Sequence, residues 1–389
     1  MTKVVFHLGD RKTGSTAIQT TLASGSFSVK GVSLLYPVAY RLQHLMLAKS
    51  LSDAAFASNA EARFTEVNNE ILEKKPDFAV ISAEDFEDVE PKALKQAIEK
   101  YMPLFAESAR FIAYVRPHAE RTASSFAERS KIGVFSGTMA QMHSRALRGK
   151  HFIYMPRFQK WKDTFGPQFE LRPMVRELLQ QQNVVADLFT YVLGDHTFEL
   201  HPMPFGNEAV SIENLVILRR FQKALRETGE KKGAIQNVMG GALSRRMNAA
   251  TFRDGTKVQM HRALAEVVAR DYAEDARQLD EAFFVGSPMT NALQAAASKA
   301  LEDEQSVNFE DYFTGREAYL IDLFVGQLVD VVVKDPDYFA KIVREDYRSK
   351  FPVASKSPGD TNLVPSKTVS KTRNKADRGK NGQENTNVS

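Results

Sequence analysis

Residues 4–22 decide the fold, and they read Val4-Val5-Phe6-His7-Leu8-Gly9, Asp10-Arg11-Lys12-Thr13-Gly14-Ser15-Thr16 and Ala17-Ile18-Gln19-Thr20-Thr21-Leu22. The apolar run predicts a buried strand, a polar loop with two glycines follows it, and an amphipathic pattern then predicts a helix. Backbone N–H groups and the dipole at a helix start favour an anion. Lys12 adds a mobile cation, and Ser15 and Thr16 add hydroxyl donors. This stretch therefore predicts a binding site for a phosphate-bearing nucleotide.

Strand and helix patterns alternate through the first half of the chain. The strand candidates are 4–8, 32–36, 78–82, 110–115 and 170–175, and the clearest helical patterns between them are 62–74 and 91–105. This alternation predicts an α/β fold with a P-loop-like parallel sheet flanked by helices. Gly9, Glu84 and Arg116 each follow a strand candidate, and ligands of such sheets bind at the carboxyl ends of the strands. We therefore expect these three residues to lie near one site.

A helical pattern at 183–192 follows the last strand candidate, and from residue 212 onward the patterns are mostly helical, at 215–227, 259–277, 289–301 and 318–333. We expect an α/β core over residues 1–205 and a helical extension over 206–351, packed on the sheet and able to cover an acceptor site. The paired glycines in 233–241 predict a mobile loop.

Residues 352–389 are poor in apolar side chains, so we expect a disordered basic tail. The tail holds seven Lys or Arg and three Asp or Glu, and it therefore carries the whole net charge of +4. That charge favours at most a weak contact with an acidic surface. A solvated tail without function is the simpler expectation.

Composition excludes several classes of chemistry. The chain has no cysteine, which excludes disulfides, thiolate nucleophiles and Cys-based zinc sites and fits a reducing cytoplasm. The eight histidines are scattered without metal-ligand spacing, so no metal is expected. No leader pattern and no run of membrane-span length is present, and nothing predicts a nucleic-acid domain.

The loop differs from the NTPase phosphate loop in one position. Gly9 and Gly14 have the spacing of G-x-x-x-x-G-K-[ST], but Ser15 occupies the position of the motif's lysine, and the cation is Lys12 instead. An NTPase needs that lysine to contact the β- and γ-phosphates of its nucleotide. A nucleotide with one 5′ phosphate and a different leaving group does not require a lysine at that position.

The strand candidate at 110–115 ends on a second cation. Arg116 follows it directly, and Ser124 comes eight residues later in a helical pattern. The planar fork of arginine can hold two phosphate oxygens. Taken alone, this pair has two equally good interpretations. Arg116 and Ser124 could bind a phosphate, or Arg116 could simply end the strand while Ser124 is an ordinary helix serine.

Together the two motifs resemble the sulfotransferases that use 3′-phosphoadenosine-5′-phosphosulfate (PAPS), in particular bacterial proteins similar to carbohydrate sulfotransferases. Their 5′-phosphosulfate loop reads K-[TS]-G-[ST]-[ST], matched here by Lys12-Thr13-Gly14-Ser15-Thr16. Further similar elements follow in the same order. They are Tyr36-Pro37, His44, Ser82-Ala83-Glu84-Asp85-Phe86, Lys131-Ile132-Gly133, Trp161 with Phe165-Gly166, and Leu171-Arg172-Pro173 before Asn183. The resemblance covers about the first half of the chain.

The resemblance implies transfer of a sulfuryl group from PAPS to a hydroxyl or amine of an acceptor, which it suggests is a carbohydrate. It assigns the 5′ phosphate to the loop 11–16, with Arg11 and Lys12 as cations, and the 3′ phosphate to Arg116 and Ser124. Lys12 would also stabilise the leaving group, and no metal is required.

Two residues are candidates for the catalytic base. Glu84 lies past an apolar strand, where a partly buried carboxylate would have a raised pKa. His44 is the second candidate because imidazole titrates near neutral pH. An acidic turn in solvent is the other interpretation of Glu84. Arg11, Lys131 and Arg172 could bind an acidic or sugar acceptor, although exposed cations are more often simply solvated.

Two other functions stay open at this point. One is a nucleotide kinase or NTPase with a degenerate phosphate loop, in which the acid after strand 78–82 would bind Mg²⁺. The other is a sulfotransferase-like protein that binds its ligand without catalysis.

Overall fold

The computed structural model describes residues 2–38, 41–202, 209–229, 234–249 and 255–349. Its strands are β1 (Lys3–His7), β2 (Phe27–Val29), β3 (Leu34–Leu35), β4 (Phe78–Ser82), β5 (Arg110–Val115), β6 (Phe169–Pro173) and β7 (Phe198–Leu200). Five of them form one sheet in the order β3-β4-β1-β5-β6, and every pair in it is parallel. The predicted parallel α/β fold is therefore confirmed.

Helices connect and cover these strands. They are α1 (Ser15–Ser24), α2 (Leu45–Ser52), α3 (Ala60–Lys74), α4 (Pro91–Tyr101), α5 (His118–Lys131), α6 (Met139–Arg148), α7 (Met155–Phe165), α8 (Val184–Leu193), α9 (Ile212–Glu227), α10 (Ala234–Ala249), α11 (Arg262–Phe283), α12 (Pro288–Gln294), α13 (Ala296–Lys299), α14 (Gly315–Val332) and α15 (Pro336–Ser349). Short 3₁₀ turns occupy Ala54–Asn59, Glu84–Asp88, Pro103–Phe105, Gly166–Gln168, Arg176–Leu178, Gln180–Gln182 and Phe309–Asp311.

The sheet separates two apolar cores because successive side chains of a strand point to opposite faces. In β1, Val4 and Phe6 contribute to one core, and Val5 contributes to the other. Val5 packs with Ile18 of α1 and Leu188 of α8. Since both faces are covered, β4 and β5 carry near-continuous apolar runs, at 78–81 and 111–115, as is typical of strands inside parallel sheets.

The C-terminal helices share the larger core with the sheet. Leu215 of α9 and Val268 of α11 belong to the same buried cluster as Phe6 of β1. The helical region is thus packed on the sheet, as expected. The tail 352–389 lies outside the described residues.

The prediction of a loop over 233–241 is wrong, because α10 spans Ala234–Ala249. A Cβ atom on Gly240 would lie 2.4 Å from the carbonyl oxygen of Lys131. The glycine therefore allows α10 to approach the end of α5 closely, and the pattern of glycines marked a helix contact. The two-stranded antiparallel sheet of β2 and β7 was not predicted.

Candidate nucleotide-binding site

Three of the predicted site elements, the loop 11–16, Glu84 and Arg116, follow three neighbouring strands and lie at their carboxyl edge. Strand β1 lies between β4 and β5, so the loop after β1, Glu84 after β4 and Arg116 after β5 reach one edge. Backbone hydrogen bonds fix the start of the loop to β5: Asp10 N donates to Tyr114 O at 3.0 Å, and Tyr114 N donates to Gly9 O at 2.7 Å. The strands β3 and β4 lie on one side of β1, and β5 and β6 lie on the other. The gap between β1 and β5 is therefore a topological switch point, which is where open α/β sheets bind ligands.

Two glycines shape the loop. Gly14 has φ +85°, and a Cβ atom there would lie 2.7 Å from Cγ1 of Val184. Gly9 has φ +89°, and its Cβ atom would lie 3.0 Å from Cα of Glu84. Neither position accepts a side chain without strain, so the glycines let the loop pass close to α8 and β4. Helix α1 begins directly after Gly14. Ala17 N already donates to Gly14 O at 2.9 Å, so the N–H groups of Ser15 and Thr16 are the ones at this helix start that lack a carbonyl one turn earlier.

A buried ion pair between Asp10 and Arg157 holds the start of the loop against helix α7. Asp10 is 1% exposed, and its two carboxylate oxygens accept from Nη1 and Nη2 of Arg157 at 2.7 and 2.5 Å. Arg157 lies on α7, and it was not among the predicted site residues. No spacing in the sequence links residues 10 and 157, so only the fold brings them together.

Arg11 is held by the acidic turn after β4. Its guanidinium donates to Asp85 at 2.9 Å and to Asp88 at 2.6 Å, and its backbone N–H donates to Glu87 at 3.1 Å. Arg11 therefore acts as a clamp between the loop and this turn, and the geometry does not favour it as a ligand cation.

Lys12 points to helix α5. Its Nζ atom donates to Oε2 of Glu128 at 3.0 Å, and Lys131 Nζ lies 2.7 Å from the same oxygen. Although burial opposes it, the two ammonium groups hold the pKa of Glu128 below its usual value. The sequence did not indicate a role for Glu128. In the structure, Glu128 holds the ammonium group of Lys12 beside that of Lys131, which was predicted to bind the acceptor.

The hydroxyl groups of the loop have different partners. Thr13 is fully buried and donates to the carbonyl oxygen of Asp10 at 2.5 Å, so it stabilises the turn itself. Ser15 donates to Oε2 of Glu84 at 2.8 Å. Thr16 is half-buried on the first turn of α1.

Glu84 has the environment expected of a general base. It is partly buried at the start of the 3₁₀ turn Glu84–Asp88. Burial raises its pKa, and the hydrogen bond from Ser15 only partly opposes that effect. The acidic turn is therefore not uniformly solvated, since Glu84 lies against the loop while Asp88 is exposed.

Arg116 carries a buried polar atom without an acceptor. Within the described residues, its Nε has no hydrogen-bond partner, and no carboxylate forms an ion pair with the side chain. Burial lowers its pKa, although Glu120 one turn later opposes the shift. Ser124 is half-buried on α5. A buried donor of this kind is costly unless a ligand or water satisfies it.

His44 lies in a different environment. It is 4% exposed, its Nε2 lies 2.8 Å from Pro37 O, and its Nδ1 accepts from Ser82 N at 3.1 Å. Burial lowers its pKa to about 4. Both ring nitrogens are engaged by backbone groups, so His44 connects the segment before α2 to the end of β4. Neither nitrogen is free to act as a base.

Other charged residues of the region are also paired. Arg172 contacts Asp187 at 2.8 Å, and Asp187 also accepts from the Tyr114 hydroxyl at 2.7 Å. Arg121 donates to Glu87 at 3.0 Å. The carboxylates of Asp187 and Glu170 both accept from Arg172, so its guanidinium is engaged within the protein and is not free for an acceptor.

No protein-family model matches this chain, and no curated protein is significantly similar to it. In the described ranges, no group of three or more His, Asp or Glu side chains is arranged around a metal position. None of the helices within those ranges has both the length and the apolarity needed to cross a membrane.

Proposed function

We propose that this protein is a PAPS-dependent sulfotransferase. The observation that carries the proposal is the placement of two cationic motifs on adjacent parallel strands. The Lys12 loop follows β1, and Arg116, with its unsatisfied buried Nε, follows β5. A nucleotide with phosphates at both its 5′ and 3′ positions has two anionic groups for these two sites.

The residues present fit such a ligand. The backbone N–H groups and the hydroxyls of Ser15 and Thr16, at the start of α1, suit the 5′ phosphosulfate. Arg116 would hold the 3′ phosphate through charge-assisted hydrogen bonds, with Ser124 as the second donor. This arrangement would satisfy the Arg116 guanidinium, which forms no ion pair within the described part of the chain and whose Nε has no hydrogen-bond partner there.

Glu84 is the proposed base. In sulfuryl transfer the acceptor oxygen forms a bond to sulfur while the bond from sulfur to the bridging phosphate oxygen breaks. The acceptor proton goes to the base, and the leaving group is adenosine 3′,5′-bisphosphate (PAP). The raised pKa of Glu84 brings its basicity closer to the working pH. A carbohydrate hydroxyl is the acceptor class implied by the sequence resemblance.

Lys12 would stabilise the leaving phosphate. Its ammonium group is tied to Glu128, so a bound phosphosulfate would offer it a competing anionic partner. Glu128 is a positioning residue in this scheme, because it keeps Lys12 at the loop before the ligand binds.

The assay is PAP formation from PAPS in the presence of a panel of oligosaccharides. We expect acceptor-dependent turnover that falls about 10²- to 10⁴-fold in Glu84→Gln. The matched control Glu99→Gln, a carboxylate exposed on α4, should retain full turnover. PAP binding without turnover on any acceptor would favour the non-catalytic function.

One contact favours a second candidate, a Mg²⁺-dependent nucleotide site. The hydroxyl of Ser15 and the carboxylate of Glu84 lie 2.8 Å apart, and P-loop NTPases hold Mg²⁺ with a hydroxyl and an acid in similar positions. The lysine that such a loop needs before its hydroxyl is missing. Binding of ATP that requires Mg²⁺ would support this candidate.

A further inference from the structure

A cavity of about 230 Å³ lies apart from the loop, against helix α9. Its walls come from α9, from the chain after α5 and from residues 307–310. Glu128 and Ser130 are two residues apart on α5, so they point to nearly opposite sides of the helix. Glu128 contacts Lys12, whereas Ser130 lines the cavity. The cavity is therefore separate from the proposed nucleotide site.

The cavity is strongly cationic. Four basic side chains of α9 line it, and Glu310 is the one acid among its lining residues. The four are Arg219, Arg220, Lys223 and Arg226. Arg220 is neutralised by Asp322, which accepts at 2.8 Å from both Nε and Nη2. Lys223 lies 3.8 Å from Glu227.

The other two arginines have no acidic partner among the described residues. Arg219 is partly buried, and its guanidinium donates to neutral oxygens only: Ser130 Oγ at 3.2 Å, Gly137 O at 3.1 Å and Ser136 O at 2.5 Å. Burial lowers the pKa of Arg219, and the charge of Arg226 lowers it further. Arg219 is fixed in place by the carbonyls of Gly137 and Ser136. Neither Arg219 nor Arg226 forms an ion pair among the described residues, so both add unbalanced positive charge to the cavity.

The remaining walls are apolar. Phe135, Val216, Val307 and Phe309 line the cavity. We propose that this cavity binds a small organic anion, whose phosphate, sulfate or carboxylate group lies between Arg219 and Arg226 and whose apolar body packs against Phe135 and Phe309. Arg226 forms no ion pair among the described residues, and its planar guanidinium can match two oxygens at once. Arg219, whose Nη1 and Nη2 already donate to neutral oxygens, supplies mainly charge.

The test is calorimetric titration with phenyl phosphate, phenyl sulfate and benzoate on the full chain. We expect saturable binding of one molecule per chain, weakened at least about tenfold in Arg226→Gln, in line with the loss of a charge-assisted hydrogen bond. Lys95→Gln, which removes one exposed charge from α4, should bind as the wild type does. Arg219→Gln, which removes the partly buried charge, should also bind more weakly.

Arg116→Ala keeps this proposal distinct from the nucleotide site. Binding that survives Arg116→Ala and an excess of PAP, but falls in Arg226→Gln, supports the cavity. The absence of saturable binding would overturn the proposal, as would binding that Arg226→Gln leaves unchanged. Binding lost only in Arg116→Ala would assign these anions to the nucleotide site instead.

A different observation supports a second inference, which concerns helix α14. One face of this helix packs Val329 and Val332 into a buried cluster with α9. The opposite face exposes Leu320, Leu323 and Phe324, and Phe324 is 69% exposed. Val331, 44% exposed, continues this stripe at helical spacing. Large exposed apolar stripes of this kind mark contact surfaces.

The charges at the two ends of the stripe are self-complementary. Arg316 and Glu317 lie at its start, and Lys334 and Asp335 lie just past its end. All four are exposed, and none forms an ion pair within the described residues. An antiparallel two-fold pairing centred between residues 325 and 326 brings the end of the stripe with Arg316 and Glu317 next to the end with Lys334 and Asp335 of a second copy. The same register places Leu320 opposite Val331.

We infer that this stripe is the contact between two copies of the chain in a C2 dimer. Sedimentation equilibrium should show a dimer that Phe324→Glu converts to a monomer. Arg316→Glu and Asp335→Arg should each weaken the dimer, and combining them should restore it, because the ion pairs reform with reversed polarity. A monomer at all concentrations, a dimer unaffected by Phe324→Glu, or a double variant without rescue would overturn the inference.

Discussion

Gly14→Ala is the sharpest test of the loop geometry, because the structure separates its two costs. The backbone at Gly14 has φ +85°, and an L-residue in the left-handed region costs about 1–2 kcal/mol. The new Cβ atom would also lie 2.7 Å from Cγ1 of Val184. Val184 is 7% exposed and belongs to the core, so overpacking adds about 1–3 kcal/mol. The free energy of unfolding should therefore fall by about 2–5 kcal/mol.

Gly25→Ala is the matched control. Gly25 ends the same helix with φ +65°, and its Cβ atom would meet nothing within 4 Å. It should cost only the backbone contribution, about 1–2 kcal/mol. Urea denaturation measures both, and a double-mutant cycle with Val184→Ala should return a coupling free energy of about 1–3 kcal/mol. Equal losses for the two alanine variants, or a coupling near zero, would refute the close approach of the loop to α8.

Three further predictions concern charged groups of the site. Arg157→Met leaves the buried carboxylate of Asp10 unpaired, so we expect the free energy of unfolding to drop by about 3–5 kcal/mol; Asp10→Asn combined with it should recover part of the loss in urea denaturation. Glu84→Gln should stabilise the fold at neutral pH, since the pKa of Glu84 is raised by burial. Because the folded state favours the protonated form, the gain should be absent at acid pH and grow as pH rises through the raised pKa; a gain that is constant with pH would contradict this. His44→Asn should lower stability by about 1–3 kcal/mol through its lost backbone contacts yet leave the shape of the pH–rate profile unchanged, and a lost limb of that profile would restore His44 as a base.

The sequence predicted those features that depend on local patterns. Apolar runs located β4 and β5 to the residue, because strands buried on both faces carry near-continuous apolar runs. The glycines of the loop and the cations at 12 and 116 were also visible, since they lie in the segments that follow β1 and β5. The order of the strands then brought Glu84, Lys12 and Arg116 to one edge, as parallel topology requires.

The pairing of charges was not predictable in the same way. Arg157 reaches Asp10, and Glu128 reaches Lys12, across separations of 147 and 116 residues. No spacing rule connects such residues, and a carboxylate on a helix face looks the same in sequence whether it faces solvent or a lysine. His44 illustrates the converse, because a histidine near a strand end has the right chemistry, while its burial and its two backbone contacts emerge only from the fold.

The most direct test of the nucleotide assignment is calorimetric titration of the protein with PAP, with ATP plus Mg²⁺ as the comparison ligand. We expect PAP to bind at one site per chain, with affinity reduced about ten- to a hundredfold in Arg116→Ala, which corresponds to the loss of a charge-assisted hydrogen bond of about 1.5–3 kcal/mol. Lys12→Ala should weaken PAP binding as well. Binding of ATP with Mg²⁺ but not of PAP, or PAP binding that Arg116→Ala leaves intact, would contradict the assignment of the two phosphate sites.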